Sequence, residues 1–246
     1  MPRAVAVNVG ANTNQPGFRG PVFPDGSFAY VPIPESEPIR DPAAAPTYGD
    51  LAPRLPLAIP DDLRETPVHL DPSFADYPRC SSYTYGDPHG VKARPLADLD
   101  AGDYVFFYAT LSCARREDGS DADASFAEWL TPEWGAYLIG HFRLASDPLV
   151  DPVREDVPEH LHENAHYRRE SFDAAVLLDG DPDASRLYDR AVPLSGERGV
   201  DANHVVTEWS ADLGKGPWWR RPLRFDRDAT ASLREWVDRD DFPAVR

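Results

Sequence analysis

Residues Ala4 to Val9 alternate small and β-branched side chains and run into NVGANTNQPG, which predicts a first strand ending in a Gly/Asn turn. PVFPDG predicts a second turn, followed by a short strand over Ser27 to Ile33. The stretch from Glu35 to Pro67 is dense in proline and charge and predicts an irregular excursion with one helical turn near Tyr48 to Leu51. Two aromatic and β-branched runs of strand length, Gly102 to Leu111 and Trp134 to Leu144, predict a central hairpin, with Arg115 to Phe126 as a solvated acidic loop between them. Downstream, Glu155 to Arg169 predicts a helix and Arg186 to Leu194 a strand. Leu233, Trp236 and Val237 give Thr230 to Asp238 the spacing of a closing helix. No internal repeat is apparent. The fold expected is α+β: a mixed, strand- and loop-rich single domain over residues 1–246, built around a central sheet or small barrel with a few short helices.

Composition supports that reading. The 26 prolines run from Pro2 to Pro243, and each removes a backbone donor and disfavours helix at the residue before it. A hydrophobic fraction of 41% over 246 residues is enough for a packed core and excludes a wholly disordered chain. Charge changes the picture more. Asp and Glu total 42 against 25 Lys and Arg, a net −17, and only Lys92 and Lys215 are lysines. A surface of short carboxylates with few ammonium stems is the composition expected of a salt-loving archaeon. A charge of −17 would ordinarily repel nucleic acid, but at molar salt the Debye length is about 3 Å, so local clusters decide partners. Cys80 and Cys113 are too few for a disulfide scaffold, and one bridge between them is left open. MPRAVAVNVG lacks a signal-peptide pattern and no apolar run reaches membrane-spanning length, so a cytoplasmic protein without a membrane partner is expected.

Common catalytic signatures are missing: there is no GxxxxGK[ST], HExxH or GxSxG, and no cysteine pair to hold zinc. NVGANTNQPG lacks GxGxxG spacing and reads as a polar turn or a ligand loop. His69 and Asp71 in HLDP, and Asp87 and His89 in GDPHG, supply a base with an orienting carboxylate or a pair of metal ligands, although both strings are also ordinary turns. In HLHENAH, His162 and His166 would share one face of a helix and His160 lies nearby, but no third ligand stands at motif spacing and no metal is assigned. Six tryptophans include Trp218 and Trp219 in GPWWRRP, beside Arg220 and Arg221; indoles stack on bases and guanidinium groups bind phosphate, though core packing uses the same residues.

The order of these segments carries a resemblance. PVFPDGSFAYVPIPES, HLDP, GDPHGVKARPLADLDAGDYVFFYATL, GAYLIGHFRLA, NAHYRR and SRLYDRAVPLSG follow one another over about 180 residues. That order resembles the nucleotide modification associated domain 3 family, with its PDG-x-PIP, H-x-DP, GQ, GD-x-F-x-FFG, GW, PH and N-x-x-Y elements. The chain departs from the pattern where NVGANTNQPG replaces RKGFDS, where Asp87 replaces the Gln of GQ, and where NAH replaces PH. The resemblance implies a place in pathways that hypermodify nucleic-acid bases; it implies no catalytic residue. A second similarity is architectural: GDYVFFYATL followed by GAYLIGHFRLA is similar to the PUA-like readers of the ASCH and EVE groups, whose small barrel holds an extruded base.

Two function classes follow. One is recognition of a nucleotide, a modified base or nucleic acid through Asn12, Arg19, Asp25, His89, Asp103, Trp218 and Arg220. The other is a base- or nucleotide-modifying or hydrolysing enzyme in which His69, Asp71, Asp87, His89 and His166 converge as acid/base groups or ligands. The two separate on whether those five side chains gather within hydrogen-bond reach. The sequence names no cofactor, substrate or oligomeric state.

Overall fold

A computed structural model of the chain describes residues 1–88, 90–212 and 215–245. Among these the strands are, in chain order, β1 (Ala4–Asn8), β2 (Gly20–Val22), β3 (Ile33–Pro34), β4 (Val68–His69), β5 (Thr84–Asp87), β6 (Tyr104–Cys113), β7 (Trp134–Arg143), β8 (Leu149–Val150), β9 (Val176–Asp179), β10 (Arg186–Pro193), β11 (Ala211–Asp212) and β12 (Leu223–Phe225). The α-helices are α1 (Tyr48–Leu51), α2 (Gly90–Ala97), α3 (Ala165–Arg168) and α4 (Arg227–Val237).

The long aromatic runs form the centre, as their pattern predicts. β6 and β7 pair antiparallel from Tyr104 opposite Arg143 to Ser112 opposite Trp134, with a bulge between Phe107 and Tyr108. β1 lies parallel to β6 on its other side, and the central sheet has the order β10-β7-β6-β1-β12-β11, with β2 beside the far end of β6. Of the two forms expected, the open sheet is the one observed.

Both faces of this sheet are covered, which is why β6 and β7 read as continuous apolar runs rather than alternating ones. On one face Phe107 and Phe142 meet at 4.6 Å between centroids, joined by Phe74 and by Tyr85 of β5. The other face presents Tyr104, Phe106 and His141, over which α4 lays Arg234, 5.0 Å above the Tyr104 ring. α4 is held by Leu233, Trp236 and the Asp226 side chain, which accepts from Ala229 N as N-cap. The small sheet β5-β9-β8 and the ribbon β3-β4 complete the fold.

Three local expectations are corrected. Residues 155–169 do not form one helix: two 3₁₀ turns, Arg154–Asp156 and Glu159–Leu161, precede the single turn of α3. Pro158 breaks the run, and Asn164 takes an extended backbone so that its side chain can cap α3 at His166 N, 3.0 Å away. Ser27 to Ile33 is strand only at its end; Phe28 makes one bridge to Val22. β5, β9 and α2 lie where no element was expected, and α2 tolerates Pro95 within its span. Residues 115–126 form turns without strand or helix, mostly exposed, although Asp121 is buried. Cys80 and Cys113 are both unpaired. No helix among the described residues is long and apolar enough to cross a membrane.

Candidate functional site

Five segments line one cleft of about 340 Å³: the turn after β1, the β3-β4 ribbon, the C-terminal end of β5, Lys92 of α2, and α3 with the loop after it. The fold places each segment by backbone pairing. Ile33 of β3 lies opposite His69 of β4, and Asp71 N donates to His69 O at 2.9 Å, turning the Asp71 side chain inward. Gly86 and Asp87 are fixed by pairing with Leu177 and Val176 of β9. Lys92 of α2 donates to Asn8 O at 2.9 Å, tying that helix to the end of β1.

His69, Asp71 and His166 are all buried, and one ligating atom from each lies within 4.8 Å of the other two. Asp71 is held by Gly86 N, 3.1 and 3.0 Å from its two oxygens, and by Asn164 Nδ2 at 3.0 Å from Oδ1. Its Oδ2 faces His166 Nε2 at 3.4 Å and His69 Nε2 at 3.9 Å. The imidazoles meet edge to face, centroids 4.9 Å apart. Gly86 is required here: a Cβ on it would stand 2.7 Å from His166 Cδ2 and 3.1 Å from Asn164 Oδ1.

Behind the histidines runs an arch of charge. His69 Nδ1–H donates to Glu35 Oε2 at 2.7 Å and His166 Nδ1–H to Asp173 Oδ1 at 2.8 Å. Arg169 spans the two carboxylates, with Nη2 2.9 Å from Glu35 Oε1 and Nη1 2.6 Å from Asp173 Oδ2. Burial alone would raise the Glu35 carboxyl, but its bonds to His69 and Arg169 outweigh that and hold it at about 2. Burial likewise works against a charged His166, yet the carboxylates of Asp71 and Asp173 on its two ring nitrogens raise its pKa. Asp87 accepts from the Tyr85 hydroxyl at 3.0 Å and lies 3.9 Å from Lys92 Nζ. Burial, then the nearby Asp87 charge, keeps the Tyr85 phenol well above its ordinary range and so a donor.

Of the five residues proposed for chemistry, four thus share the cleft: His69, Asp71, Asp87 and His166. His89 lies outside the described residues. His162 does not pair with His166; it stacks on Tyr167 at 4.1 Å and bonds Val157 O at 2.9 Å, because no helix joins the two histidines. His160 is exposed beside Asp179.

The residues proposed for binding divide. Asn12 lines the cleft. Arg19, Trp218 and Arg220 belong to a different cluster: Arg19 lies 4.4 Å over Trp134, which meets Trp219 at 5.4 Å, while Trp218 is buried and donates to Val200 O at 2.8 Å. None of the three lines the cleft. Asp25 closes its own turn, accepting from Ser27 N and Oγ and from Arg116. Asp103 accepts from Arg3 N at 2.7 Å and Asp100 N at 3.1 Å, anchoring the start of β6. Both are structural in these contacts. Sequence reasoning passed over Glu35, Tyr85, Lys92, Asn164, Arg169 and Asp173. The i, i+4 pair of Arg169 and Asp173 was the one local signal available for any of them.

A family model for nucleotide modification associated domain 3 matches residues 3–235, a span that includes every residue lining the cleft. No curated protein and no solved structure matches the chain.

Proposed function

Because the chain belongs to the nucleotide modification associated domain 3 family, we propose that it is an enzyme acting on a nucleobase held in this cleft, with His69, Asp71 and His166 as the reactive end. The observation that carries the reading is convergence: the buried side chains of His69 and Asp71, of Asp87, and of His166 come from separate segments to one polar-lined cleft. Asn12, Asp87 and Lys92 are the gripping groups, since they line the same cleft with hydrogen-bonding chemistry suited to base edges.

Charge selects the base rather than the phosphate. Glu37, Asp71, Asp87 and Asp173 face Lys92 and Arg169, and the Arg169 guanidinium is already committed to two carboxylates. An anion entering such a cleft gains nothing, whereas a neutral heterocycle with donors and acceptors does. A volume of about 340 Å³ is at the small end for ligand sites and suits a base or nucleoside.

Calorimetry with nucleosides and their monophosphates in concentrated KCl tests binding. Monophosphates should bind no more tightly than the corresponding nucleosides, and Asn12→Ala or Asp87→Ala should weaken a nucleoside about tenfold, the worth of one hydrogen bond. Absence of nucleoside binding, or binding indifferent to both variants, sinks the proposal. Catalysis is tested by mass spectrometry of nucleosides digested from nucleic acid of cells expressing the chain or its His69→Ala variant. A mass-shifted nucleoside seen only with the unaltered chain supports an enzyme; binding without any mass shift returns the cleft to a reader.

A further inference from the structure

The geometry points to a mononuclear metal centre: we propose that His69 Nε2, Asp71 Oδ2 and His166 Nε2 hold one divalent first-row transition ion, with its remaining positions open to the cleft. The inference deepens the catalytic reading of the same cleft and rests on it for the ion's role, whereas the binding of the ion stands on geometry alone.

Spacing comes first. With metal–ligand bonds of about 2.1 Å, neighbouring ligand atoms stand about 3.0 Å apart on an octahedral edge and about 3.4 Å apart on a tetrahedral one. His166 Nε2 and Asp71 Oδ2 are 3.4 Å apart, already at a coordination edge. His69 Nε2 is 3.9 Å from the same oxygen, and closing that gap needs a shift of about 0.5 Å, within a rotation of one imidazole. All three ligating atoms fit inside 4.8 Å.

Orientation is the stronger argument. A metal-binding histidine carries its lone pair on one ring nitrogen while the other donates to a carboxylate or carbonyl that fixes the tautomer and the ring. Both histidines here meet that condition with separate carboxylates, His69 Nδ1 on Glu35 and His166 Nδ1 on Asp173. Arg169 locks the two carboxylates to each other, so the pair of imidazoles is set as one unit. Asp71 is equally fixed: Oδ1 takes Asn164 Nδ2, Gly86 N is shared between Oδ1 and Oδ2, and Oδ2 is the oxygen turned toward both Nε2 atoms. Once both Nε2 atoms are deprotonated, two imidazole lone pairs and Asp71 Oδ2 face one point, and a divalent ion can take the place of the proton that otherwise lies between His166 Nε2 and Asp71.

The donor set limits the ion. Two imidazoles and one carboxylate with open positions suit Fe(II), Co(II) or Zn(II) and are too few oxygens for Ca(II). Three protein ligands also leave coordination sites vacant, as catalytic rather than structural centres do. Those vacancies face the cleft that Asn12, Asp87 and Lys92 line.

Co(II) is the probe, because its visible absorption reports ligand number. The full-length chain, stripped with EDTA, is titrated anaerobically with Co(II), and Zn(II) is added to compete. One Co(II) per chain, visible bands of a nitrogen/oxygen site, and displacement by Zn(II) are expected. His69→Gln and His166→Gln should each lower Co(II) affinity at least 100-fold, and Glu35→Gln, which loosens the His69 ring and its tie to Arg169 without removing a ligand, about 10- to 100-fold. His160→Gln, outside the cluster, should leave the titration unchanged and so excludes adventitious histidine binding. Thermal unfolding of each variant shows which ones fold; if a ligand variant does not, Glu35→Gln carries the comparison. No stoichiometric Co(II) uptake by the unaltered chain, or uptake unchanged in the folded cluster variants, overturns the proposal. Nucleoside binding measured in EDTA is read separately, so a failed metal site and a failed base pocket give different results.

Discussion

Replacing Arg169 by Met removes the keystone of the arch between Glu35 and Asp173. Glu35 is buried, 3% exposed at its side chain, and would retain only His69 and Glu37 N as donors. Breaking a buried ion pair costs about 3–5 kcal/mol, and the surviving donors place this arm near the lower end, about 3 kcal/mol. The Asp173 arm is 35% exposed and is discounted to about 0.5 kcal/mol. The sum, about 3–4 kcal/mol, corresponds to a fall in melting temperature of roughly 10 °C for a chain of this size. Urea unfolding and calorimetry of the metal-free protein read both quantities. The double variant Glu35→Gln/Arg169→Met should recover at least about 1 kcal/mol relative to Arg169→Met, because the uncompensated charge is gone. Arg169→Lys should recover about half at most, since one ammonium cannot fork to two carboxylates. A loss below about 1 kcal/mol, or a double variant no better than the single one, would refute the arch as a coupled unit.

Other expectations follow from the same contacts. Gly86→Ala should cost about 1–3 kcal/mol by urea unfolding and displace the His166 ring, because the new Cβ would lie 2.7 Å from His166 Cδ2; a fully stable variant with unchanged nucleoside affinity would contradict the packing. Asp103→Ala should lose about 2 kcal/mol with nucleoside binding intact, since this carboxylate serves Arg3 N and Asp100 N. His141 gives a pH dependence. It accepts from the Tyr188 hydroxyl at Nδ1 and donates from Nε2 to Ala184 O; burial, then the Arg186 charge, pushes its pKa down to about 4. A folded value below the ordinary 6.5 means its contribution is present above pH 6.5 and is lost as pH falls toward 4, up to about 3 kcal/mol. His141→Gln should flatten that limb of the stability curve, and an unchanged slope between pH 6.5 and 4 would count against it.

What could be read in the sequence depended on whether a signal was local. β6 and β7 were legible because both faces are covered, leaving aromatic and β-branched side chains uninterrupted over strand length. β5 and β9 were missed because TYGD and VLLD are four residues each and show no period. The helix over 155–169 failed on a competition that composition does not show. Asn164 leaves the helical region to cap His166 and to donate to Asp71, 93 residues earlier. The same residue explains why NAH takes part in the site. HLDP and NAH are each visible as strings, but their joining into one cluster is a long-range fact carried by the contacts of Asn164 and His166 with Asp71.

Charge was the feature most open to misreading. A surplus of 17 negative charges suggested an island of Arg and Trp as the place for a nucleotide. That island exists around Arg19, Trp134, Trp219 and Arg220, but Trp218 is buried against Val200 O and none of its residues reaches the cleft. The cleft itself is acidic, and its carboxylates divide by task. Asp173, with Glu35 behind the cleft wall, orients the histidines, Asp71 faces the two Nε2 atoms, and Asp87 accepts from Tyr85 beside Lys92. Carboxylates arranged this way repel phosphate but suit a cation, so the acidity that argued against a nucleic-acid polyanion argues for a metal ion and a neutral base. Salt then separates the readings. Phosphate-driven binding weakens steeply with KCl through counterion release, whereas a nucleoside in this cleft should change affinity by less than about twofold between 0.2 and 2 M KCl. Calorimetry across that range decides it: a steep negative salt slope would move the ligand out of the cleft and onto the Arg/Trp cluster.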